Sequence, residues 1–205
     1  RSASASDKGE DKSPPSQYYL GLNFLLDGEQ ESALKAFSDA LAVNAETFET
    51  HITFGSLLRK RGEVDNAIKI HQSLLSRSKL PDVQKNQAHL ELAKDFIAAG
   101  LLDRAEQLLK DLIELSVDHQ ADARVLLIEV YEASRDWVQA RQLAESQLVE
   151  VSSQQEPAAV ARASVIREKL AHYCCEAAED DDMRGDTESA GRLATEALNW
   201  CDDAV

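Results

Sequence analysis

A glycine followed five positions later by an alanine recurs along the chain, and this repeat constrains the fold more than any other feature. The pairs are Gly28 and Ala33, Gly62 and Ala67, Gly100 and Ala105, and Gly185 and Ala190. Arg135 and Ala140 keep the same spacing without a glycine. Successive alanines are 34, 38, 35 and 50 residues apart. Because periods of about 20 to 50 residues are the signature of stacked repeats, the sequence predicts a repeat array.

Each repeat is predicted to consist of two helices joined by a tight turn. Glycine commonly ends a helix in the left-handed conformation, and the alanine then lies inside the following helix. The 205 residues include only 8 glycines and 4 prolines, and aromatic residues make up 5%, so helix breakers and strand formers are few. The pattern is typical of the tetratricopeptide repeat. We therefore expect an all-α solenoid of about five helix hairpins, with ten helices and no strand.

The N-terminal residues differ in composition from the rest of the chain. Residues 1–16 contain five serines and two prolines and almost no apolar side chain. Such a segment cannot bury enough apolar surface to offset the entropy lost on ordering, so we expect a flexible leader. The tetratricopeptide-repeat domain is predicted to span residues 17–205.

The repeat alanines also set the boundaries of the units. If each alanine is the twentieth residue of its repeat, the units span about 14–47, 48–81, 86–119, 121–154 and 171–204. About sixteen extra residues precede the fifth unit. These residues predict an elongated first helix from about Pro157 to Asp182, since proline is tolerated at a helix start.

Charge and hydropathy exclude two classes of partner. The chain carries 37 acidic and 22 basic side chains, which gives a net charge of −15. Proteins bind nucleic acids mainly through lysine and arginine, so no nucleic-acid partner is expected. An anionic membrane surface is disfavoured for the same reason, and no apolar run approaches the roughly 18 residues of a membrane span. We expect no membrane contact by this segment itself.

Motifs for catalysis or metal binding are absent from the sequence. It contains no HExxH, no CxxC pair, no GxxxxGK loop and no GxSxG elbow. His172, Cys175 and Glu176 share one helix face, but ordinary packing is the simpler interpretation of three such residues. His71, at a position where the repeat usually has an aromatic residue, is interpreted as a half-buried filler. We expect no catalytic residue, no cofactor and no metal in this segment.

A partner-binding groove is the functional surface that the repeat predicts. Stacked hairpins present their first helices along a concave face that can hold a peptide or a partner helix. By repeat position, the groove residues are Tyr19, Leu22, Leu26, Thr53, Ser56, Arg59, Lys60 and Lys94. For any single residue, solvated surface is the simpler interpretation. Arg59, Lys60 and Arg61 form a basic cluster at the end of a helix. Their charges would either complement the helix macrodipole or attract an acidic partner.

The C-terminal edge is predicted to be apolar. Repeat units bury their faces against neighbours, so the last hairpin should expose apolar surface unless a polar cap covers it. Leu193, Ala197, Leu198 and Trp200 are expected near that edge. The edge is a candidate contact for a homodimer.

Three stretches are similar to one family beyond the generic repeat. They are LGLNFLLDGEQESALKAFSDAL, ETHITFGSLLRKRGEVDNAIKIHQSLL and LAKDFIAAGLLDRAEQLLKDL. His172, Tyr173, Cys174 and Glu176 fit the same family in the fifth unit. On these residues the chain resembles the lipopolysaccharide assembly protein B family of Gram-negative bacteria. The resemblance covers about residues 17–200.

The resemblance implies a protein at the cytoplasmic face of the inner membrane, anchored by an N-terminal helix that this sequence lacks. It implies a non-enzymatic adaptor that regulates lipopolysaccharide synthesis by bringing the lipid A deacetylase to a membrane AAA protease. Family members also carry a rubredoxin-like zinc domain with two CxxC pairs, which this chain does not contain. The alternative, from the repeat fold alone, is a generic co-chaperone or complex-assembly scaffold.

Overall fold

The computed structural model describes residues 19–21, 23–24, 28–29, 32–33, 35–36, 48–76, 80–154 and 156–202. The predicted leader, most of the first unit, Leu22 and Leu26 lie outside these residues. Residues 48–202 form eight helices, and the described residues contain no strand. The helices are α1 (Phe48–Lys60), α2 (Val64–Leu75), α3 (Asp82–Ala98), α4 (Leu102–Leu115), α5 (Gln120–Ser134), α6 (Trp137–Ser152), α7 (Pro157–Met183) and α8 (Thr187–Asp202). The all-α prediction is confirmed.

The chain divides into two compact units, which we call the N-terminal unit (Arg1–Ala99) and the C-terminal unit (Gly100–Val205). In the N-terminal unit, α1, α2 and α3 each pack against the other two. In the C-terminal unit each helix from α4 to α8 packs against the next one in sequence. Within the described ranges, no helix is both long enough and apolar enough to cross a membrane.

The turn that the sequence predicted at each repeat is a left-handed helix end. Gly62 has a φ of 83°, and the amide of Glu63 donates to the carbonyl of Leu58 at 2.9 Å. Arg135 takes the place of the glycine in its repeat with a φ of 57°, and the amide of Asp136 closes the same six-residue loop at 2.9 Å. These bonds satisfy carbonyls that a helix end otherwise leaves unpaired. The turn therefore forms in that repeat even without its glycine.

The repeat alanines lie where helices approach closely. The four buried ones are Ala33, Ala67, Ala105 and Ala140, and Ala190 in α8 is half-buried. A methyl side chain lets a neighbouring helix pack tightly, whereas a larger side chain would hold the two axes apart. The alanine spacing thus predicted the packed face of α2, α4 and α6.

Helix α7 is the elongated helix that the sequence predicted. It runs for 27 residues, about 40 Å at the rise of an α-helix, and ends one residue beyond the predicted Asp182. Pro157 occupies the first turn, where a missing amide hydrogen leaves no bond unmade. The helix buries Ala159 and Ala163 in its first half and Leu170 and Tyr173 in its second. Its length lets it pack against both α6 and α8.

Candidate protein-interaction surface

Three of the predicted groove residues converge on one carboxylate in the N-terminal unit. Ser56 and Arg59 lie on α1, Lys94 lies on α3, and all three donate to Glu91 of α3. Ser56 Oγ and Arg59 Nη2 donate to Glu91 Oε2 at 2.8 and 2.7 Å, and Lys94 Nζ donates to Oε1 at 2.6 Å. The carboxylate of Glu91 therefore ties the two helices together.

A second carboxylate continues this network into the core. Asp95, one turn after Glu91 on α3, is fully buried and accepts from Arg59 Nη1 at 2.6 Å. Its other oxygen lies 2.5 Å from His71 Nδ1 of α2. Since a carboxylate can only accept, His71 donates through Nδ1. The network thus joins α1, α2 and α3.

His71 differs from the half-buried filler that the sequence suggested. Its ring is fully buried and has a charged partner, and its Nε2 lies 3.5 Å from the carbonyl of Ile52. Gly55 makes room for it, because a Cβ at that position would lie 2.4 Å from His71 Nε2. The prediction of half burial is therefore wrong: the imidazole is a fully buried and hydrogen-bonded part of the core.

Glu91 and Arg59 stay charged despite partial burial. Burial alone would raise the pKa of Glu91, but hydrogen bonds from Lys94, Arg59 and Ser56 outweigh it and lower the pKa from 4.5 to about 2. Burial likewise acts to lower the pKa of Arg59, and its bonds to the two carboxylates raise it by more. At neutral pH the carboxylate of Glu91 and the guanidinium of Arg59 are therefore both ionised and compensate one another.

We define the α1/α3 face as Thr53, Ser56, Lys60, Glu91 and Lys94. Thr53 and Lys60 are exposed on α1, and Lys94 is half-buried. The Thr53 hydroxyl donates to the carbonyl one turn earlier in its helix at 2.8 Å. Thr53, Ser56, Lys60 and Lys94 of this face were predicted groove residues, whereas Glu91 was not, and their role in partner binding stays a prediction.

The predicted basic cluster at the end of α1 is only partly available. The side chain of Arg59 is 16% exposed and its charge is compensated by Glu91 and Asp95. Arg61 is half exposed, and its Nε lies 3.4 Å from Glu63 Oε1. Tyr19, also predicted in the groove, is exposed in helical residues 19–21. Arg59 therefore contributes to packing of α1 on α3 rather than to a free positive patch.

The C-terminal edge combines buried and exposed apolar side chains. Ala197 is buried, Leu193 is half-buried, and Leu198 is 66% exposed. Trp200 is half-buried, and its indole Nε1 is buried with no hydrogen-bond partner among the residues that the structure describes. A homodimer through this edge remains a prediction.

Cysteine, histidine and acidic side chains form no metal centre in the part of the chain that the structure describes. His172 packs edge-on against the ring of Trp137, with centroids 6.1 Å apart. Cys174, Cys175 and Cys201 are free thiols. Burial raises the pKa of the Cys174 thiol to about 11, so it is protonated at neutral pH.

The sequence did not predict a second surface, which we call the α5–α7 groove. It is a cavity of about 610 Å³ in the C-terminal unit, lined by residues of α5, α6 and α7. Apolar side chains dominate the lining, and the charged residues are Arg124, Glu150 and Arg162. The only sequence signal was the 50-residue step between the last two repeat alanines, Ala140 and Ala190.

Comparison with known proteins agrees with this architecture. No family model matches the chain. The chain is 36% identical over 178 residues to Lipopolysaccharide assembly protein B of Escherichia coli strain K12. These residues cover 87% of the chain and 43% of that protein. The chain is a homologue of Lipopolysaccharide assembly protein B. The Haemophilus influenzae protein of the same name is 35% identical over 136 residues, which cover 62% of the chain and 34% of that protein. The chain thus spans less than half the length of these relatives.

Solved structures support the fold assignment. A kinesin-light-chain-like protein of Podosopora anserina with nearly identical TPR-like repeats matches with a TM-score of 0.55 at 16% identity. The match covers 88% of this chain and 94% of that one. A Q17M form of the same protein matches with a TM-score of 0.52 at 17% identity, covering 90% of this chain and 92% of that one. The tetratricopeptide-repeat fold is therefore confirmed.

Proposed function

We propose that the chain is a non-enzymatic protein-interaction scaffold that acts in lipopolysaccharide synthesis. Its 36% identity to Lipopolysaccharide assembly protein B over 178 residues carries this proposal. In finer terms, it is an adaptor at the cytoplasmic face of the inner membrane. It holds the lipid A deacetylase for proteolysis by a membrane AAA protease.

The packing of the N-terminal unit suits a scaffold. Two carboxylates and one guanidinium fix α1 against α3, so the exposed side chains of both helices are held at a constant spacing. A rigid surface loses little conformational entropy when a partner binds. The groove that contacts the partner comprises Tyr19, Leu22, Leu26, Thr53, Ser56, Arg59, Lys60 and Lys94. Among these, Thr53 and Lys60 are exposed and Arg59 acts by positioning α1.

The experiment compares two lysine reversals on neighbouring helices. Lys60→Glu changes the α1/α3 face, and Lys69→Glu changes a lysine on α2 that is also exposed. The 205-residue chain captures partners from detergent extracts of Gram-negative inner membranes at low and high salt. The deacetylase and the AAA protease are then quantified by immunoblot.

Wild type and Lys69→Glu should recover both enzymes, and Lys60→Glu should recover several-fold less of at least one at low salt. The difference should shrink at high salt, because rim charges act mainly through screened attraction. Recovery of chaperone C-terminal tails with neither enzyme would support the generic co-chaperone instead. Equal recovery by both variants would show that Lys60 does not contribute to partner binding.

A further inference from the structure

The α5–α7 groove lies beside the irregular part of the repeat array. The extra residues before the fifth unit form the first half of α7, which packs beside the end of α6. Gln147, Glu150 and Val151 of α6 line one side of the groove, and Gln154, just after the end of α6, also lines it. Its volume of about 610 Å³ is within the range of ligand-binding clefts, roughly 300 to 1,000 Å³.

Large apolar side chains are exposed inside this groove. Val125 of α5 and Val165 of α7 are 55% and 54% exposed and both line it, together with Val151 and Ile166. Exposed apolar side chains that are contiguous and rimmed by polar groups mark interaction sites more often than scattered ones do. A partner with an apolar stripe would remove these side chains from water.

The charged residues at the rim of the groove indicate which charge a partner segment should carry. Arg124 is paired with Glu150 at 2.5 Å, which leaves little net charge at that side. Arg162 donates to the neutral amide oxygen of Gln154 at 2.9 Å, so this hydrogen bond leaves its positive charge uncompensated. The lining thus carries one excess positive charge in a chain of net charge −15. An acidic segment complements it, whereas a basic segment would meet like charge at Arg162.

We propose that the α5–α7 groove binds an amphipathic helix of a partner protein with an apolar stripe and acidic flanks. Apolar anchors one turn apart on that helix contact Val125 and Val165, and a flanking carboxylate pairs with Arg162. This inference rests on the scaffold function proposed above and adds a second binding surface to it.

The test uses two synthetic helical peptides labelled with fluorescein. Both carry leucines at i, i+3, i+4 and i+7, and their flanks are glutamates in one and lysines in the other. Fluorescence anisotropy with the purified 205-residue chain measures the dissociation constant of each. The chain variants are Val165→Glu in the groove and Val160→Glu, which alters a 68% exposed valine of α7 outside it. Arg162→Gln removes the rim charge.

The glutamate peptide should bind saturably and about tenfold more tightly than the lysine peptide at low salt. Val165→Glu should weaken its binding about tenfold or more, and Val160→Glu should leave it within about twofold. Arg162→Gln should weaken binding and flatten its salt dependence. Circular dichroism confirms that each variant is folded, and Val125→Glu on α5 replaces any variant that is not.

Equal affinity for the two peptides would overturn the proposal, as would equal effects of Val165→Glu and Val160→Glu. No saturable binding up to about 1 mM, the weak limit of specific affinity, would overturn it too. A wild-type dimer that Val165→Glu converts to a monomer in sedimentation velocity would assign the groove to a second copy of this chain. Capture of the two enzymes without peptide binding would contradict only the proposal for the α5–α7 groove. Peptide binding without capture of the enzymes would contradict only the proposed function.

Discussion

Replacement of Arg59 by methionine tests the network that joins α1 to α3. Methionine keeps the length of the arginine stem but removes both charged hydrogen bonds, to Asp95 at 2.6 Å and to Glu91 at 2.7 Å. Asp95 has no solvent-exposed side-chain surface, so water cannot replace the lost partner there. The variant therefore leaves a buried carboxylate with His71 as its one remaining partner in the network.

The expected loss of stability is about 3 kcal/mol at neutral pH. Breaking a buried ion pair by removing one partner costs about 3 to 5 kcal/mol, because the other charge stays buried. The lower end applies because Glu91 keeps its bonds from Lys94 and Ser56. The loss should concern the N-terminal unit, where the whole network lies.

The acid dependence of stability gives a second measure of the same network. The pKa of Glu91 is lowered from 4.5 to about 2, which corresponds to about 3 kcal/mol of stabilisation at most. A lowered folded-state pKa stabilises the protein above the unfolded pKa, and this contribution is lost as pH falls from about 4.5 towards 2. In Arg59→Met the pKa of Glu91 should rise, so the variant should lose less stability over this interval than wild type does.

Urea denaturation followed by circular dichroism, at several pH values from 7 to 3, measures both effects. Trp137 and Trp200 both lie in the C-terminal unit, so hydrogen exchange of the α1, α2 and α3 amides is needed to localise the loss. Arg61→Met is the matched control: this arginine is 51% exposed, and its removal should cost less than about 1 kcal/mol. Similar losses for the two variants, or an unchanged acid profile in Arg59→Met, would refute the reasoning.

Four further outcomes are expected, three from single substitutions and one from thiol labelling. Gly55→Ala should cost about 2 kcal/mol in urea denaturation because its Cβ would lie 2.4 Å from His71 Nε2, whereas Gly191→Ala, which meets nothing within 4 Å, should stabilise α8 by about 0.5 to 1 kcal/mol. Asp136→Ala should lower stability by about 1 kcal/mol, since its carboxylate accepts a backbone hydrogen bond at the start of α6; a change below about 0.3 kcal/mol would argue against that cap. Thiol labelling of the native chain should modify two cysteines quickly and Cys174 slowly, and three equal rates would show that Cys174 is accessible.

The hairpin architecture could be predicted from the sequence because its signals are local. Gly62 and Arg135 end helices in the same left-handed turn, and the spacing to the next alanine shows which face is packed. Pro157 and the extra residues after the fourth unit predicted the long α7 to within one residue at its end. Turn chemistry and helix periodicity depend on residues only a few positions apart. Both can therefore be recognised in the linear sequence. The similarity to Lipopolysaccharide assembly protein B is likewise a property of the linear sequence.

The candidate site was predicted only in part. Repeat positions predicted Ser56, Arg59 and Lys94 as groove residues, but they did not predict the two carboxylates of α3 that these side chains contact. Glu91 and Asp95 stand one turn apart in the stretch LELAKDF, whose other residues are apolar except Lys94, and this was the available signal. That pattern alone does not distinguish a solvated helix face from a buried ion-pair network.

Only the tertiary structure decided which charges are free and which surfaces are open. Arg59 meets Asp95 across 36 residues of chain, and His71 meets it across 24, so both contacts depend on the rotation of one helix against another. The α5–α7 groove depends on how three helices of unequal length end beside one another. Such relations are set by side-chain packing between elements, where a rotation of a fraction of a turn exchanges a buried side chain for an exposed one. Local sequence therefore determined the helices and their turns, and packing determined the ion-pair network and the groove.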